Sequence, residues 1–335
     1  MNLAILGGGS WGTALAIVLA PRFPQTGKSK GIRLWLREAD LAERMASSRE
    51  NDIFLPGIQI PNSVQITNSL ETALDHAQIL LGVMPSHYAR EVYDAARHYF
   101  TPEIRLVTAT KGIERETLLR PSEVVEQSVT AAFPTCVLSG PTFAREVAKG
   151  EPAAVVISSA SEDAASFIQS AFSGPSFRLY TNTDPIGVEV GAALKNVIAI
   201  AAGVCQGLGL GNNTQAALIT RGLAEITRLA VRMGGQPKTL AGLAGLGDLV
   251  LTCNGDLSRN RMVGKELAAG KSLTEIVGSM KMVAEGVETC AAAMALAQKY
   301  GVDLPIIQQM HDVLYSSKSP RQAVRELMER SLKPE

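Results

Sequence analysis

The stretch ILGGGSWGTALA, residues 5–16, decides the fold class of this chain. Gly7, Gly9 and Gly12 match the pattern G-x-G-x-x-G, which is common and only weakly informative on its own. Here the apolar run Leu3–Leu6 leads directly into Gly7, and a helical pattern rich in small residues follows Gly12. A glycine turn between a strand and a helix is the context in which this pattern binds a dinucleotide. The alternative is a glycine turn that binds nothing.

In this interpretation, each residue of the turn has a separate task. Gly7 permits the tight turn, Gly9 lets the backbone approach the pyrophosphate, and Gly12 lets the helix pack closely on the strand. The phosphates would lie against free N–H groups at the positive end of the helix dipole. Ser10 and Trp11, at the tip of the turn, are candidate contacts to the cofactor.

Outward from this turn, the first half of the chain alternates β-type runs with helical patterns. This alternation predicts an α/β fold with a doubly wound, Rossmann-like parallel sheet, placed at about residues 1–183. The predicted strands are 3–6, 32–36, 79–83, 105–108, 136–139, 154–158 and 177–180. Helical patterns fall between most of these strands, for example at 12–20, 39–48, 86–99 and 121–132.

The pattern changes at Asp184 and Pro185, which read as the cap and first residue of a helix. The rest of the chain is rich in Ala, Leu and Gly and has no convincing strand, so we expect an all-α domain at about residues 184–335. Its predicted helices are 185–206, 212–234, 239–252, 258–269, 272–280, 284–300, 303–315 and 320–330. A cleft between the two domains is the expected ligand site.

Composition excludes several classes of protein. The 335 residues are 46% hydrophobic, enough for about two domains with real cores, and 32 Lys and Arg balance 32 Asp and Glu, so nothing indicates nucleic-acid binding. We predict no secretory signal, no membrane span and a cytoplasmic protein. The four histidines form no ligand cluster, so no metal is predicted. Buried free thiols are expected at Cys136, Cys205, Cys253 and Cys290.

The end of the second predicted strand bears on cofactor choice. An acidic residue there accepts a hydrogen bond from the ribose 2′-OH of NAD, whereas this strand ends with Arg37, which would pair with a 2′-phosphate. We therefore predict NADP(H) as the preferred cofactor, with NAD(H) still usable because Glu38 follows at once. Arg33 is a second candidate for the phosphate, and a solvated surface charge is the alternative for Arg37.

Catalytic candidates follow the other strands, because ligands gather at the carboxyl ends of a doubly wound sheet. Lys111 follows one strand, and Gly140, Thr142 and Ala144 follow another. In the helical half, Lys195 lies in an apolar helix, where burial lowers the pKa of an amine toward the range of a general acid or base. The alternative for Lys195 is a side chain that reaches water at the helix edge.

Further polar residues of the helical half complete the candidate set. Asp248 and Thr252 are four apart and share one helix face. Arg259 and Asn260, beside Ser258, stand at a helix start and could hold a phosphate. The alternative is that Ser258 caps the helix and the arginines after it are surface charges.

Together these segments resemble the bacterial-type glycerol-3-phosphate dehydrogenases that use NAD(P). The resemblance covers essentially the whole chain, in order, and it is far more specific than the glycine turn alone. It rests on GGGSWGTALA, TKGIE, SGPTFAREVA, GAALKNVIAIAAG, GLAGLGDLVLTC, SRNR and VAEGVET.

The resemblance implies a function and a role for each matching residue. The implied reaction is reversible reduction of dihydroxyacetone phosphate to sn-glycerol 3-phosphate, which supplies phospholipid synthesis. A homodimer and a helical domain like that of 6-phosphogluconate dehydrogenase are also implied. Implied cofactor contacts are Ser10, Trp11, Arg37, Lys111, Ala144, Arg259, Val283 and Glu285. Implied substrate contacts are Lys111, Gly140, Thr142, Lys195, Asn196, Asp248, Thr252, Ser258, Arg259 and Asn260.

The chemistry of ketone reduction agrees with this assignment. Hydride addition leaves negative charge on the oxygen, which a cation stabilises and a lysine can protonate. Lys195 is the expected acid and base, Lys111 adds positive potential, and Asp248 orients Lys195 or a substrate hydroxyl. Two alternatives stay open: a β-hydroxyacid or 6-phosphogluconate-type dehydrogenase, and a non-catalytic NADP sensor.

Overall fold

Four consecutive buried apolar residues, Leu3–Leu6, form the first strand, which lies inside an eight-stranded sheet. A computed structural model describes the chain at residues 1–27, 29–129, 133–280 and 284–332. The strands are β1 (Leu3–Leu6), β2 (Ile32–Trp35), β3 (Glu50–Asn51), β4 (Leu55–Gln59), β5 (Val64–Thr67), β6 (Ile79–Gly82), β7 (Arg105–Thr108), β8 (Cys136–Ser139), β9 (Ala153–Ser158) and β10 (Phe177–Asn182). The order across the sheet is β10-β9-β8-β7-β6-β1-β2-β5, and β3 pairs with β4 separately.

The sheet is wound in two directions from β1. β2 and β5 lie on one side of it and β6, β7 and β8 on the other, all parallel. The order reverses between β1 and β6, and a crevice at the carboxyl ends of such strands is where ligands bind. Leu6 lies opposite both Trp35 and Gly82 in the register. The turns that follow these three strands therefore emerge at one edge.

Alternate residues of β1 enter two different cores, one on each face of the sheet. Leu3 and Ile5 pack in one cluster, and Ala4 and Leu6 pack in the other. The helices that cover the sheet are α1 (Ser10–Leu19), α2 (Ala39–Ser48), α3 (Leu70–Leu74), α4 (Ser86–Ala96), α5 (Pro121–Ser128), α6 (Ala144–Ala148) and α7 (Glu162–Phe172).

After β10, every element formed by the described residues is a helix. Asp184 caps the first helix, as predicted, because its carboxylate accepts the N–H of Gly187 at 2.8 Å. The helices are α8 (Pro185–Gly207), α9 (Asn212–Arg232), α10 (Pro237–Leu240), α11 (Asp248–Asn254), α12 (Arg259–Ala268), α13 (Leu273–Ser279), α14 (Glu285–Tyr300), α15 (Pro305–Tyr315) and α16 (Pro320–Met328). By length and composition α8 could cross a membrane, but it is buried inside the fold as the helix around which the others pack.

The α/β part and the helical part share buried contacts. Val137 of β8 and Val156 of β9 pack against Val188 of α8 and Ala244. Ile113, which follows β7 in the chain, is 3% exposed and belongs to the core of the helical part. The two parts therefore meet through apolar surface, and a segment of the first is inserted into the core of the second.

Three local expectations were wrong. The strands β3, β4 and β5 were not predicted: β3 has only two residues, and β4 contains Pro56 and Gly57, which are typical of turns. β9 runs antiparallel to β8, although a fully parallel sheet was expected. The only helix in the described residues between β8 and β9 is the five-residue α6. This connection does not carry the chain back to the edge of the sheet where β8 begins, so β9 cannot run parallel to β8.

The third error concerns the predicted helix 239–252. It is divided into α10, a π-helical turn at Leu243–Gly247, and α11. Gly245 packs too closely for a side chain: a Cβ there would lie 2.1 Å from the carbonyl oxygen of Leu240. The break places Asp248 at the start of α11, and π-helical turns are frequent at functional sites.

Candidate active site

The glycine turn after β1 is shaped by close backbone contacts on two sides. Gly7 has φ +118°, and a Cβ there would lie 2.8 Å from the backbone of Val83. A Cβ on Gly12 would lie 1.8 Å from the carbonyl oxygen of Gly7. A Cβ on Gly9, in contrast, would meet no atom within 4 Å. Gly7 and Gly12 are therefore required by the turn itself, whereas Gly9 leaves open space above it.

The start of α1 fits an anionic ligand. Its first intrahelical bond runs from Thr13 N–H to Gly9 O, so the amides of Ser10, Trp11 and Gly12 have no helical acceptor. No acidic residue lies in the first turn of α1. Together with the open space above Gly9, these free donors fit a dinucleotide pyrophosphate.

A buried asparagine that sequence reasoning missed braces the turn. Asn51 is fully buried and donates to Gly8 O and Thr13 Oγ1, both at 2.8 Å. Its carbonyl oxygen accepts the N–H of Phe54 at 3.0 Å. A two-residue strand gives no pattern from which this contact could have been found.

Two predicted cofactor contacts also pack against protein. Trp11 and Ala144 are partly buried against the same small apolar cluster, which includes Leu55 of β4. The Trp11 ring also meets Phe177 edge-on at 6.5 Å between centroids. Ser10, the first residue of α1, is half-buried.

The two arginine candidates for a 2′-phosphate lie in different environments. Arg33 is 2% exposed; its guanidinium donates to Thr72 O at 2.9 Å and to Asp75 O. It thus joins β2 to α3. Arg37 has a half-exposed side chain, lies over the Tyr88 ring at 4.5 Å, and contacts Glu38 Oε1 at 3.3 Å. Of the two, only Arg37 presents its charge to solvent beside the crevice.

Three charged side chains meet at Asp248. Its Oδ1 accepts Lys195 Nζ at 2.5 Å, and its Oδ2 accepts Lys111 Nζ at 2.8 Å. Lys195 also donates to Thr252 Oγ1 at 2.9 Å, and Thr252 donates to the carbonyl of Asp248. Lys111 comes from the α/β part, and the other three come from α8 and α11. The side chain of Asp248 is 1% exposed, so the charge of this buried carboxylate is balanced by two ammonium groups.

The cluster lowers the pKa of both Lys195 and Asp248, but for different physical reasons. Burial lowers the pKa of Lys195 to about 8; Asp248 acts against this effect, and the nearby Lys111 cation adds to it. Burial alone would raise the pKa of Asp248, but the two lysines outweigh it and hold that pKa below its ordinary value. Lys195 is thus an amine that can both give and take a proton near neutral pH.

The loop after β8 brings Gly140 and Thr142 toward the helical part. Gly140 has φ +153° and a Cβ there would lie 2.9 Å from Val155 Cα, so the loop passes close to β9. Thr142 Oγ1 donates to Gly140 O at 3.2 Å. The adjoining Pro141 lies beside Gly247, the residue before Asp248.

Asn196 and Asn260 form a buried amide pair behind the cluster. Asn260 Nδ2 donates to Asn196 Oδ1 at 3.0 Å, and its Oδ1 accepts the N–H of Gly286 at 3.0 Å. The pair joins α8, α12 and the start of α14. One N–H of Asn260 is not used in these bonds and is the donor that could reach a ligand.

The SRNR segment has features of both interpretations given above, a phosphate site and a capped helix with surface arginines. Ser258 caps α12, accepting the N–H of Arg261, and Arg261 pairs with Asp256 at 2.7 Å. Arg259 is half-buried at the first position of the helix. Burial raises the pKa of Glu285, and Arg259, Lys111 and Lys195 act against this rise. These three cations therefore lie within electrostatic range of Glu285. Val283, also predicted as a cofactor contact, lies outside the described residues.

Two ion pairs that sequence reasoning missed flank Lys111. Glu114 accepts both arms of Arg90, at 2.8 and 2.7 Å, and Arg120 pairs with Glu189 at 2.5 Å. The motif TKGIE includes Glu114, but nothing in the sequence indicates its partner. In the described part of the chain, no group of three or more His, Cys, Asp or Glu is placed to hold a metal ion.

Comparisons with known proteins agree over the full chain. Residues 2–165 match the family described as NAD-dependent glycerol-3-phosphate dehydrogenase N-terminus, and residues 184–325 match the C-terminus of the same family. Glycerol-3-phosphate dehydrogenase [NAD(P)+] of Koribacter versatilis is 54% identical over 332 residues, covering 98% of this chain and 97% of that protein.

A second relative and a crystal structure extend the match. The protein of the same name from Geobacter sulfurreducens is 50% identical, covering 100% of this chain and 98% of its own. The crystal structure of glycerol-3-phosphate dehydrogenase from Coxiella burnetii superposes with a TM-score of 0.92 at 39% identity, covering 98% of this chain and 99% of that one. These matches confirm the expected Rossmann-like sheet followed by an all-helical part.

Proposed function

Because this chain belongs to the NAD(P)-dependent glycerol-3-phosphate dehydrogenases, we propose a specific division of labour among its site residues. Lys195 is the general acid in reduction of dihydroxyacetone phosphate and the general base in oxidation of sn-glycerol 3-phosphate. The observation that carries this proposal is the buried Lys195–Asp248–Lys111 cluster, with Nζ to carboxylate distances of 2.5 and 2.8 Å. Membership in this family supersedes the hydroxyacid dehydrogenase and sensor alternatives.

The proton and charge balance of the reaction fits the cluster. When bound, the nicotinamide supplies the hydride to C2 of the ketone or accepts it from the alcohol. As C2 is reduced, its oxygen gains negative charge, and the Lys195 ammonium stabilises that charge and delivers the proton. In the reverse direction the neutral Lys195 amine takes the hydroxyl proton. Asp248 orients Lys195, and Lys111 adds positive potential without itself transferring a proton.

The phosphate of the substrate needs donors at a distance from the reacting carbon. We propose that Arg259 and the unused N–H of Asn260 hold it, because both stand at the start of α12 and Arg259 shares the electrostatic surroundings of Lys195. Gly140, Thr142, Asn196, Thr252 and Ser258 form the remaining wall. A grip on the phosphate fixes the carbonyl in place and lowers the entropic cost of the reaction.

Cofactor selectivity is proposed to rest on Arg37. Its half-exposed guanidinium packs on Tyr88 and can form charge-assisted bonds to a 2′-phosphate, which favours NADPH over NADH. Arg33 is not proposed for this role, because it is 2% exposed and its two terminal guanidinium nitrogens donate to backbone carbonyls. Gly7, Gly9, Ser10, Trp11 and Gly12 are proposed around the pyrophosphate, with Ala144 and Glu285 as further cofactor contacts.

Other features are proposed from family membership. They are a homodimer, a cytoplasmic location, supply of glycerol phosphate for phospholipid synthesis, and two domains that meet between residues 183 and 184. Within the family, the physiological direction is expected to be reduction.

An NADPH oxidation assay with three ketones tests the proposed function. We expect turnover with dihydroxyacetone phosphate, at least about 10²-fold lower kcat/KM with unphosphorylated dihydroxyacetone, and none with a β-ketoacid. The loss with dihydroxyacetone measures the phosphate grip. Equal rates on both triose substrates would contradict the role of Arg259 and Asn260.

A further inference from the structure

The segment between β7 and α5, residues 109–120, connects the two parts of the molecule; we call it the bridging segment. It begins in the α/β part, yet Ile113 is buried in the core of the helical part and Leu118 packs against that core. Lys111 of the same segment reaches Asp248 at 2.8 Å. The position of Lys111 therefore depends on how this segment is held against the helices.

The far end of the bridging segment is held by a buried carboxylate. Glu189 of α8 has a side chain that is 1% exposed. It accepts three bonds: from Ser122 N–H at 2.7 Å, from Ser122 Oγ at 2.7 Å, and from the guanidinium of Arg120 at 2.5 Å. Both donor residues lie at the junction of the bridging segment and α5, so one carboxylate of the helical part satisfies donors of the other part.

A buried carboxylate such as Glu189 destabilises the folded state unless its hydrogen-bond partners are held in place. A carboxylate without water must keep its hydrogen bonds, and loss of one partner leaves an uncompensated buried charge. A further ion pair of the segment, Glu114 with Arg90, joins it to α4 of the α/β part and not to the helical part. Arg115 and Glu288 also bridge the two parts, at 3.5 Å, but both are exposed.

We propose that Glu189 is a positioning residue for the reaction. It fixes the C-terminal end of the bridging segment against α8, and so sets where the Lys111 ammonium lies beside Asp248. This inference rests on the proposed function of the Asp248 cluster. It adds that the Arg120–Glu189 ion pair keeps the Asp248 cluster aligned. Glu189 lies on the same helix as Lys195, six residues earlier in the chain.

Substitution Glu189→Gln tests this role. The amide keeps one acceptor oxygen but turns an NH₂ group toward donors, so the bond to Arg120 is lost. Glu225→Gln is the matched control: Glu225 is also buried in the helical part and accepts backbone N–H groups, those of Ile306 and Ile307, but does not touch the bridging segment. Both variants are expected to melt at lower temperature than the wild type.

Kinetics separate positioning from stability. For Glu189→Gln we expect kcat to fall about 10-fold while KM for NADP+ changes less than about 2-fold, because Lys111 is misplaced by a small distance. Glu225→Gln is expected to keep the wild-type kcat. If both variants show the same kcat, the positioning role is wrong.

The pH profile supplies a readout that general destabilisation does not move. Among the described residues, the ionisable groups that interact with Lys195 are Asp248 and Cys253 on α11, Lys111, and Glu285 of α14. Of these, Lys111 lowers the pKa of Lys195 and lies on the bridging segment. In glycerol 3-phosphate oxidation, the acid limb of kcat/KM should therefore move to higher pH in Glu189→Gln, by about half a pH unit or more. An unmoved limb overturns the proposal.

Two further variants keep the test decisive. If Glu189→Gln yields no folded protein, Ser122→Ala can replace it, because it removes one of the three donors to Glu189. The acid limb should again move to higher pH, and an unmoved limb overturns the proposal. Lys111→Met separates failure of the proposed function from failure of this proposal. Wild-type turnover in that variant would contradict the role of the Asp248 cluster, independently of the result for Glu189→Gln.

Discussion

At the glycine turn, the residues proposed around the pyrophosphate lie within six positions of one another. At Asp248, the partners are 53 and 137 positions away in the chain. At Gly7 and Gly12 the turn is shaped by backbone contacts that leave no room for side chains. The cluster is shaped by charge, with two lysines on one buried carboxylate. The first kind of site is visible in a short pattern, and the second exists only after the two parts of the chain have packed together.

The largest expected effect lies in the Asp248 cluster. Lys195→Met removes the proton donor while keeping the length of the side chain, and kcat should fall about 10³-fold. NADPH binding, followed by fluorescence, should change little, because Lys195 lies outside the glycine turn. Lys238→Met, at an exposed lysine of the helical part, is the control. A fall of less than about 10-fold would contradict general acid catalysis by Lys195.

The glycine turn is tested by a pair of alanine substitutions. Gly12→Ala places a Cβ 1.8 Å from Gly7 O, so we expect a large loss of thermal stability even without cofactor. Gly9→Ala meets no protein atom, and its φ of −69° is allowed for alanine. This variant should melt like the wild type but bind NADPH at least about 10-fold more weakly, because the methyl group occupies the pyrophosphate position. Equal behaviour of the two variants would remove the distinction between Gly9 and its neighbours.

The smallest of these effects concerns cofactor choice. Arg37→Ala should weaken NADPH binding about 10-fold and NADH binding less than about 2-fold, because only NADPH has the 2′-phosphate. Titration of each cofactor by fluorescence gives both values. Arg33→Met should lower the melting temperature without changing this ratio, since Arg33 holds backbone carbonyls. Equal losses for both cofactors in Arg37→Ala would contradict its proposed role.

The features that could be predicted from sequence are those with a local cause. The run Leu3–Leu6, the glycine pattern of residues 7–12 and the Asp184–Pro185 helix start can each be recognised from neighbouring residues in the chain. The strand with Pro56 and Gly57 could not be predicted, because its residue types favour turns and only tertiary pairing makes it a strand.

The same limit applies to the site. Lys195 and Asp248 could be singled out by residue type and resemblance, but their shared contact with Lys111 is a product of packing. Asn51 and Glu189 gave no signal, since a buried polar residue is recognised only by the partners that satisfy it.

The pH dependence of kcat/KM for glycerol 3-phosphate oxidation tests most directly whether the Asp248 cluster tunes Lys195 as the base. Oxidation needs the neutral amine, so the wild-type rate should fall as pH drops below about 8, where Lys195 becomes protonated. Asp248 raises the pKa of Lys195, so Asp248→Asn should move this acid limb to lower pH. A limb that stays in place, or that moves to higher pH, would contradict the account.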